Sequence, residues 1–147
     1  MDDFFVDGGV VEFKPGSGWA WAAGWSGKVT ASVKPHGLTS EGQSVALTAD
    51  FERLALQLSG RPYTATGFDD IPGMVTVAVV QVDAGTLSSR VAIDGDAVGT
   101  AHTSGTFRVV CVPSFKAGAP PIPDPLLAKE GTWKVARCGQ AAARADR

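Results

Sequence analysis

Glycine fills 18 and proline 9 of the 147 positions, and both are spread along the whole chain. In a helix interior a glycine costs about 1 kcal/mol and a proline about 3 kcal/mol, so a helical bundle is excluded. Punctuation of this density instead marks turns between many short strands. From Lys28 onward the apolar period is two, as in Val29-Thr-Ala-Ser-Val33. Side chains that alternate in this way line one face of a strand.

Individual elements follow from that period. Strands are expected at Val10 to Lys14, across the alternating Val29 to Val33, through Ser44 to Thr48 and at Thr106 to Val112, with a last short one at Thr132 to Ala136. Met74 to Val82 is β-branched and bounded by Pro72-Gly73 and Asp83-Ala-Gly85, which makes it the strongest strand. Phe51 to Leu58 alternates Leu54, Leu56 and Leu58 with Ala55 and Gln57, and also reads as a strand. Asp94-Gly95 between short apolar runs is a hairpin turn, because both positions need positive φ. Gly42-Gln-Ser-Val45 and Gly95-Asp-Ala-Val98 share one turn-into-strand pattern, as a repeated hairpin would. Residues 113–125 hold five of the prolines and cannot join a central sheet. The expected fold is all-β, a single compact domain of short strands and hairpins. A β-sandwich is the alternative architecture.

Three regions follow. Residues 1–27 interleave glycines with Phe4, Phe5, Phe13, Trp19, Trp21 and Trp25, too aromatic for a free linker. This segment either packs on its own domain or presents Phe13, Trp19, Trp21 and Trp25 to a partner protein or a sugar ring. Residues 28–140 form the hairpin domain, and 141–147 a polar, frayed tail.

Composition narrows the function. A formal charge of −2 with no Lys/Arg cluster gives no nucleic-acid surface. The acidic start Met-Asp-Asp-Phe-Phe is no signal peptide, and no apolar run reaches membrane-spanning length, so no stable membrane anchoring is expected. Synthesis and folding in the cytoplasm are therefore expected, with export only by a dedicated machine. No G-x-S-x-G elbow and no phosphate-cradling glycine loop is present, and a Cys138–histidine pair has no local sequence to favour it. Asp69-Asp70 and Asp94/Asp96 lie beside turn residues, where turn chemistry accounts for them. The chain is therefore not expected to be an enzyme.

A metal has more to stand on. His36, His102, Cys111 and Cys138 are the histidines and cysteines of the chain, and two of each complete a tetrahedral structural site for zinc, or iron. The competing readings are a buried apolar cysteine at Cys111 and a disulfide between the two cysteines.

Val91-Ala-Ile-Asp-Gly95-Asp-Ala-Val98 resembles the hairpin unit of PAAR-repeat and PAAR-like proteins, and Gly131-Thr-Trp-Lys-Val-Ala-Arg-Cys-Gly139-Gln140 is similar to the close of some PAAR-like families. The resemblance covers about half of the chain, and the repeated Gly-Asp and His-Gly signatures of the short PAAR proteins are missing. It implies a small all-β cone, one copy seated on the trimeric spike protein of a contractile injection system, a type VI secretion system or a phage tail. Many members bind a metal near the apex through His and Cys, and some carry effector cargo. Such a tip needs an apolar base, which either the aromatic segment Phe13 to Trp25 or the strand Met74 to Val82 would supply. The alternative function is a β-sandwich binding module, for carbohydrate or protein, using the Trp19/Trp21/Trp25 surface.

Overall fold

In the computed structural model, inward and outward side chains alternate just where the period-two pattern is cleanest. Val11 and Phe13 point inward from β1 (Val10–Pro15), and Phe107, Val109 and Cys111 from β10 (Ser104–Val112). Lys129, Gly131 and Trp133 do so from β13 (Ala128–Arg137). The structure describes residues 5–33, 39–40, 43–44, 46, 48–87, 92–93, 96–97 and 99–137.

The other strands, in chain order, are β2 (Trp19–Trp21), β3 (Lys28–Thr30), β4 (Thr39–Ser40), β5 (Gln43–Ser44), β6 (Pro62–Ala65), β7 (Phe68–Val82), β8 (Ala92–Ile93), β9 (Asp96–Ala97), β11 (Phe115–Lys116) and β12 (Ile122–Pro123). Nine of them make one antiparallel sheet in the order β12-β11-β7-β10-β13-β1-β3, with β6 joining β2 to β7. The sheet curls around the core in a single compact domain, so the class is all-β. It is one curled sheet and not the two stacked sheets of a sandwich. The proline-rich stretch lies at the margin, where β11 meets β7 only at Phe115 and Ile71.

Two elements depart from the expectation. Phe51 to Leu58 is not a strand: α1 (Thr48–Arg53) runs into a 3-10 turn, Leu54–Gln57. Phe51, Leu54, Ala55 and Leu58 are buried while Leu56 is 75% exposed. That spacing of three and four is a helical stripe, and it competes with the leucine alternation over the same residues. Of the strand expected over Ser44 to Thr48, Ser44 ends β5 and Thr48 already opens the helix, while Val45 and Leu47 lie outside the described residues.

Strand β7 does not stop at Pro72-Gly73 but continues back to Phe68. Its Ile71 is registered with Phe115 and its Gly73 with Tyr63, so the dipeptide lies between two neighbouring strands. A Cβ on Gly73 would overlap the Val112 carbonyl, the Ser114 nitrogen and the Tyr63 ring. The glycine therefore serves close approach within a strand and makes no turn. The turn falls instead at Gly67, whose φ of 84° suits glycine alone among common residues.

The echo between Gly42 and Gly95 corresponds to two hairpins of identical register. Ser40 pairs with Gln43 and Ile93 with Asp96, each across a two-residue connection. The connecting residues lie outside the described set. Just beyond each hairpin the chain enters a closed ring of backbone hydrogen bonds. Phe5 N–H donates to the Gly99 carbonyl (2.9 Å), Gly99 N–H to that of Ala46 (2.9 Å), and Ala46 N–H to that of Phe5 (2.7 Å). This ring closes the end of the sheet where β1 and β10 begin. The interior next to it is aromatic: Phe5 lies 5.0 Å from Phe51, which stacks on Trp133 at 5.3 Å.

Candidate functional site

Cys111 and His102 occupy opposite ends of one strand. His102 is exposed in the turn before β10, where its N–H donates to Thr100 Oγ1 (3.2 Å). Cys111 is buried near the far end of that strand. Seven residues of extended chain from Ser104 to Cys111 span about 23 Å, so one ion cannot touch both side chains. The structure thus does not assemble the expected four-residue centre around this pair, and His36 and Cys138 lie outside the described residues. Among the described residues no three His, Cys, Asp or Glu side chains gather at metal-binding distance.

Burial pushes the Cys111 thiol up to about 11, while the charge of Lys129 pulls the other way. A thiol held neutral is a poor nucleophile. In a Cys138→Ser background, Cys111 should react with an aromatic disulfide reagent at pH 8 at least roughly 100-fold slower than in the urea-unfolded chain. Equal rates folded and unfolded would contradict its burial.

Of the two readings of the aromatic segment, packing on its own domain describes Phe13, Trp19 and Trp21. Phe13, Trp19 and Trp21 are 1%, 7% and 8% exposed and form one cluster around Phe107. Phe13 meets Phe107 edge-on at 5.3 Å, and Trp21 stacks on it at 6.0 Å. The indole N–H of Trp21 donates to the Phe13 carbonyl, and that of Trp19 to the Glu130 carbonyl (both 2.9 Å). Only Trp25 of the four is half-buried, and the Arg61 guanidinium lies 4.2 Å from its ring. The three buried rings offer neither a partner nor a sugar a stacking face.

Behind the end of the sheet opposite the hydrogen-bonded ring lies a buried polar cluster that the sequence reading did not anticipate. Asp124 and Lys129 are 4% and 5% exposed, with Nζ 2.8 Å from Oδ2. Tyr63 OH donates to the same Oδ2 (3.1 Å), and the Leu126 N–H donates to Oδ1 (3.0 Å). The Ser114 N–H donates to Tyr63 OH (3.1 Å), and Ser114 Oγ accepts from the Ala65 N–H (3.3 Å). Burial alone would raise the Asp124 carboxyl, but hydrogen bonds from Lys129 and Leu126 and the ammonium charge hold it below its ordinary value. Burial raises Tyr63 above its own. The signal missed in the sequence is parity: Lys129 shares its face of the strand with Trp133.

The outer face of the same region is apolar. Val77 stands opposite Val110 and Met74 opposite Val112 on paired strands, and these four are 44–53% exposed. Val79, opposite Arg108, and Leu126, which lines the same groove, add to that side of the sheet. Beyond Val79 the face turns polar, with a cross-strand ion pair between Arg108 and Glu130 (2.8 Å) and then Thr106 and Thr132. A groove of about 1000 Å³ runs along it, bounded by the Gly16–Trp19 turn and Leu126. The outward valines of the run Met74 to Val82 are thus exposed. No helix among the described residues is long and apolar enough to cross a membrane. Neither a family model nor a curated protein matches the chain.

Proposed function

We propose that the chain is a structural docking protein without catalytic activity, seated as one copy on the end of the trimeric spike of a contractile injection apparatus. It would be made in the cytoplasm and become part of the injection particle. The observation that carries the docking reading is the gathering of Met74, Val77, Val79, Val110 and Val112 on one uncovered sheet face. Scattered apolar residues are ordinary on a surface, but a contiguous patch marks an interaction site. Of the two segments suited to form an apolar base, the aromatic one is consumed by the core, which leaves β7 and its neighbour β10. At the opposite end the backbone ring of Phe5, Ala46 and Gly99 ties three chain segments together, the task a metal would otherwise perform at a narrow apex. The choice of a spike as partner rests on the PAAR-like resemblance of the hairpin and of the last strand.

The test is affinity purification from the native host with wild type and with a Val77→Lys/Val110→Glu variant. Both substitutions are on exposed positions and should leave the fold intact, shifting stability by no more than about 0.5 kcal/mol each. The expected result is a trimeric β-helical spike protein recovered at one copy of this chain per trimer, and lost with the variant. Recovery of a soluble polysaccharide or of a closed homo-oligomer in place of the spike would refute the proposal.

A further inference from the structure

We infer that the Tyr63–Asp124–Lys129 cluster is a positioning device that fixes the loop carrying Leu126 into the apolar docking face, an inference that rests on the docking reading above. Leu126 is 62% exposed, so the core does not hold its side chain. The loop between β12 and β13 is held from behind by its backbone and by one carboxylate. Asp124 N–H donates to the Ser114 carbonyl (2.8 Å), and Cys111 N–H donates to the Leu127 carbonyl (2.9 Å). Asp124 Oδ1 accepts the Leu126 N–H, while Oδ2 is gripped by Lys129 Nζ and Tyr63 OH. The carboxylate therefore links a fixed pair of core side chains to the backbone of an exposed loop.

Stability alone does not account for this arrangement. Burying two charges costs desolvation, and an apolar pair of similar volume commonly serves the fold equally well or better. An apolar side chain at position 124 cannot accept the Leu126 N–H. What the carboxylate adds is one fixed loop conformation, and with it the placement of Leu126 on the groove it shares with Val79 and Ala128. Ordering of this kind before binding lowers the entropy cost of association.

The discriminating variants are Asp124→Leu/Lys129→Met, which removes both charges and the acceptor, and Asp124→Asn, which keeps an oxygen for the Leu126 N–H. Hydrogen exchange at the Leu126 amide and binding to the purified trimeric spike are read for each, beside thermal unfolding. The double variant should melt within a few degrees of wild type, yet exchange Leu126 at least tenfold faster and bind the spike at least tenfold more weakly. Asp124→Asn should melt lower than wild type but keep Leu126 slow. Should the double variant not fold, Asp124→Asn decides alone: Leu126 slow while the melting temperature falls supports positioning. Leu126 exchange that merely follows global stability in every folded variant overturns it. A wild-type protein that ignores the spike refutes the docking reading, while the exchange comparison still decides the role of the cluster.

Discussion

Phe107→Ala should lower the free energy of unfolding by about 4 kcal/mol, close to the upper end for loss of a buried aromatic ring. Phe107 is 2% exposed and is the ring on which Phe13, Trp19 and Trp21 converge, at 5.3 to 6.0 Å between centroids. A collapse that fills the void would require three large rings to move, two of them tied by indole hydrogen bonds. Three residues further along the same strand, Val110→Ala should change stability by no more than about 0.5 kcal/mol, because Val110 faces outward. Urea denaturation of the two variants checks the inward and outward assignment of β10 directly. Equal losses would mean that the strand is turned or shifted in register.

The second large effect is expected at Lys129, and it should depend on pH in a way that identifies its cause. Lys129→Met leaves the Asp124 carboxylate buried without its cation, a loss of about 3–5 kcal/mol at neutral pH. In the wild type, the Asp124 value lies below that of the unfolded chain. Its contribution is therefore present above the ordinary carboxylate range and disappears as pH falls through the lowered folded value. Without Lys129, burial dominates and the folded value rises above the unfolded one. The sign then reverses: the penalty is greatest near pH 7 and shrinks toward pH 4 as the carboxyl takes up a proton. Chemical denaturation at pH 4 and pH 7 should show the variant closer to wild type in acid. A penalty of equal size at both values would mean that lost packing of the lysine stem, and not the stranded charge, is responsible. On the alkaline side, Cys111 and Tyr63 both have raised folded values. Stability should therefore fall above about pH 9, as the unfolded thiol and phenol ionise first.

The parts of this fold that were legible in the sequence are those in which one face of a strand is buried and the other is not. Strands β1, β10 and β13 alternate cleanly and come within one to four residues of their expected bounds. The twin hairpins were visible as a repeated turn because glycine and its neighbours carry the turn chemistry locally. The Phe51 to Leu58 segment misled because leucines two apart satisfy a strand period while Phe51, Leu54, Ala55 and Leu58 also satisfy a helical one; the packing of Phe51 between Phe5 and Trp133 decides between them.

What remained illegible depends on contacts between residues far apart in sequence. Nothing local in Pro-Asp-Pro at 123–125 indicates that Asp124 meets Tyr63, 61 residues away. The Phe5–Ala46–Gly99 ring joins three segments whose own residues carry no mark of it. The tryptophans presented the converse difficulty. Their number left packing and a surface both open; glycine bends at Gly18, Gly24 and Gly27 accompany the packing of Trp19 and Trp21 onto Phe107, and a Cβ on Gly27 would overlap the Phe13 carbonyl. The expected metal centre was drawn from residue types alone, and the extended run of β10 separates two of its four members.

The most direct measurement of the docking account is amide hydrogen exchange across the chain, in the presence and absence of the purified trimeric spike. The account predicts new protection centred on residues 74–79, 110–112 and 126, with Phe13, Trp19 and Trp21 unchanged because they are already inside the core. Protection centred on 13–25, or a spike that leaves the apolar face of β7 and β10 exchanging as in the free protein, would contradict it.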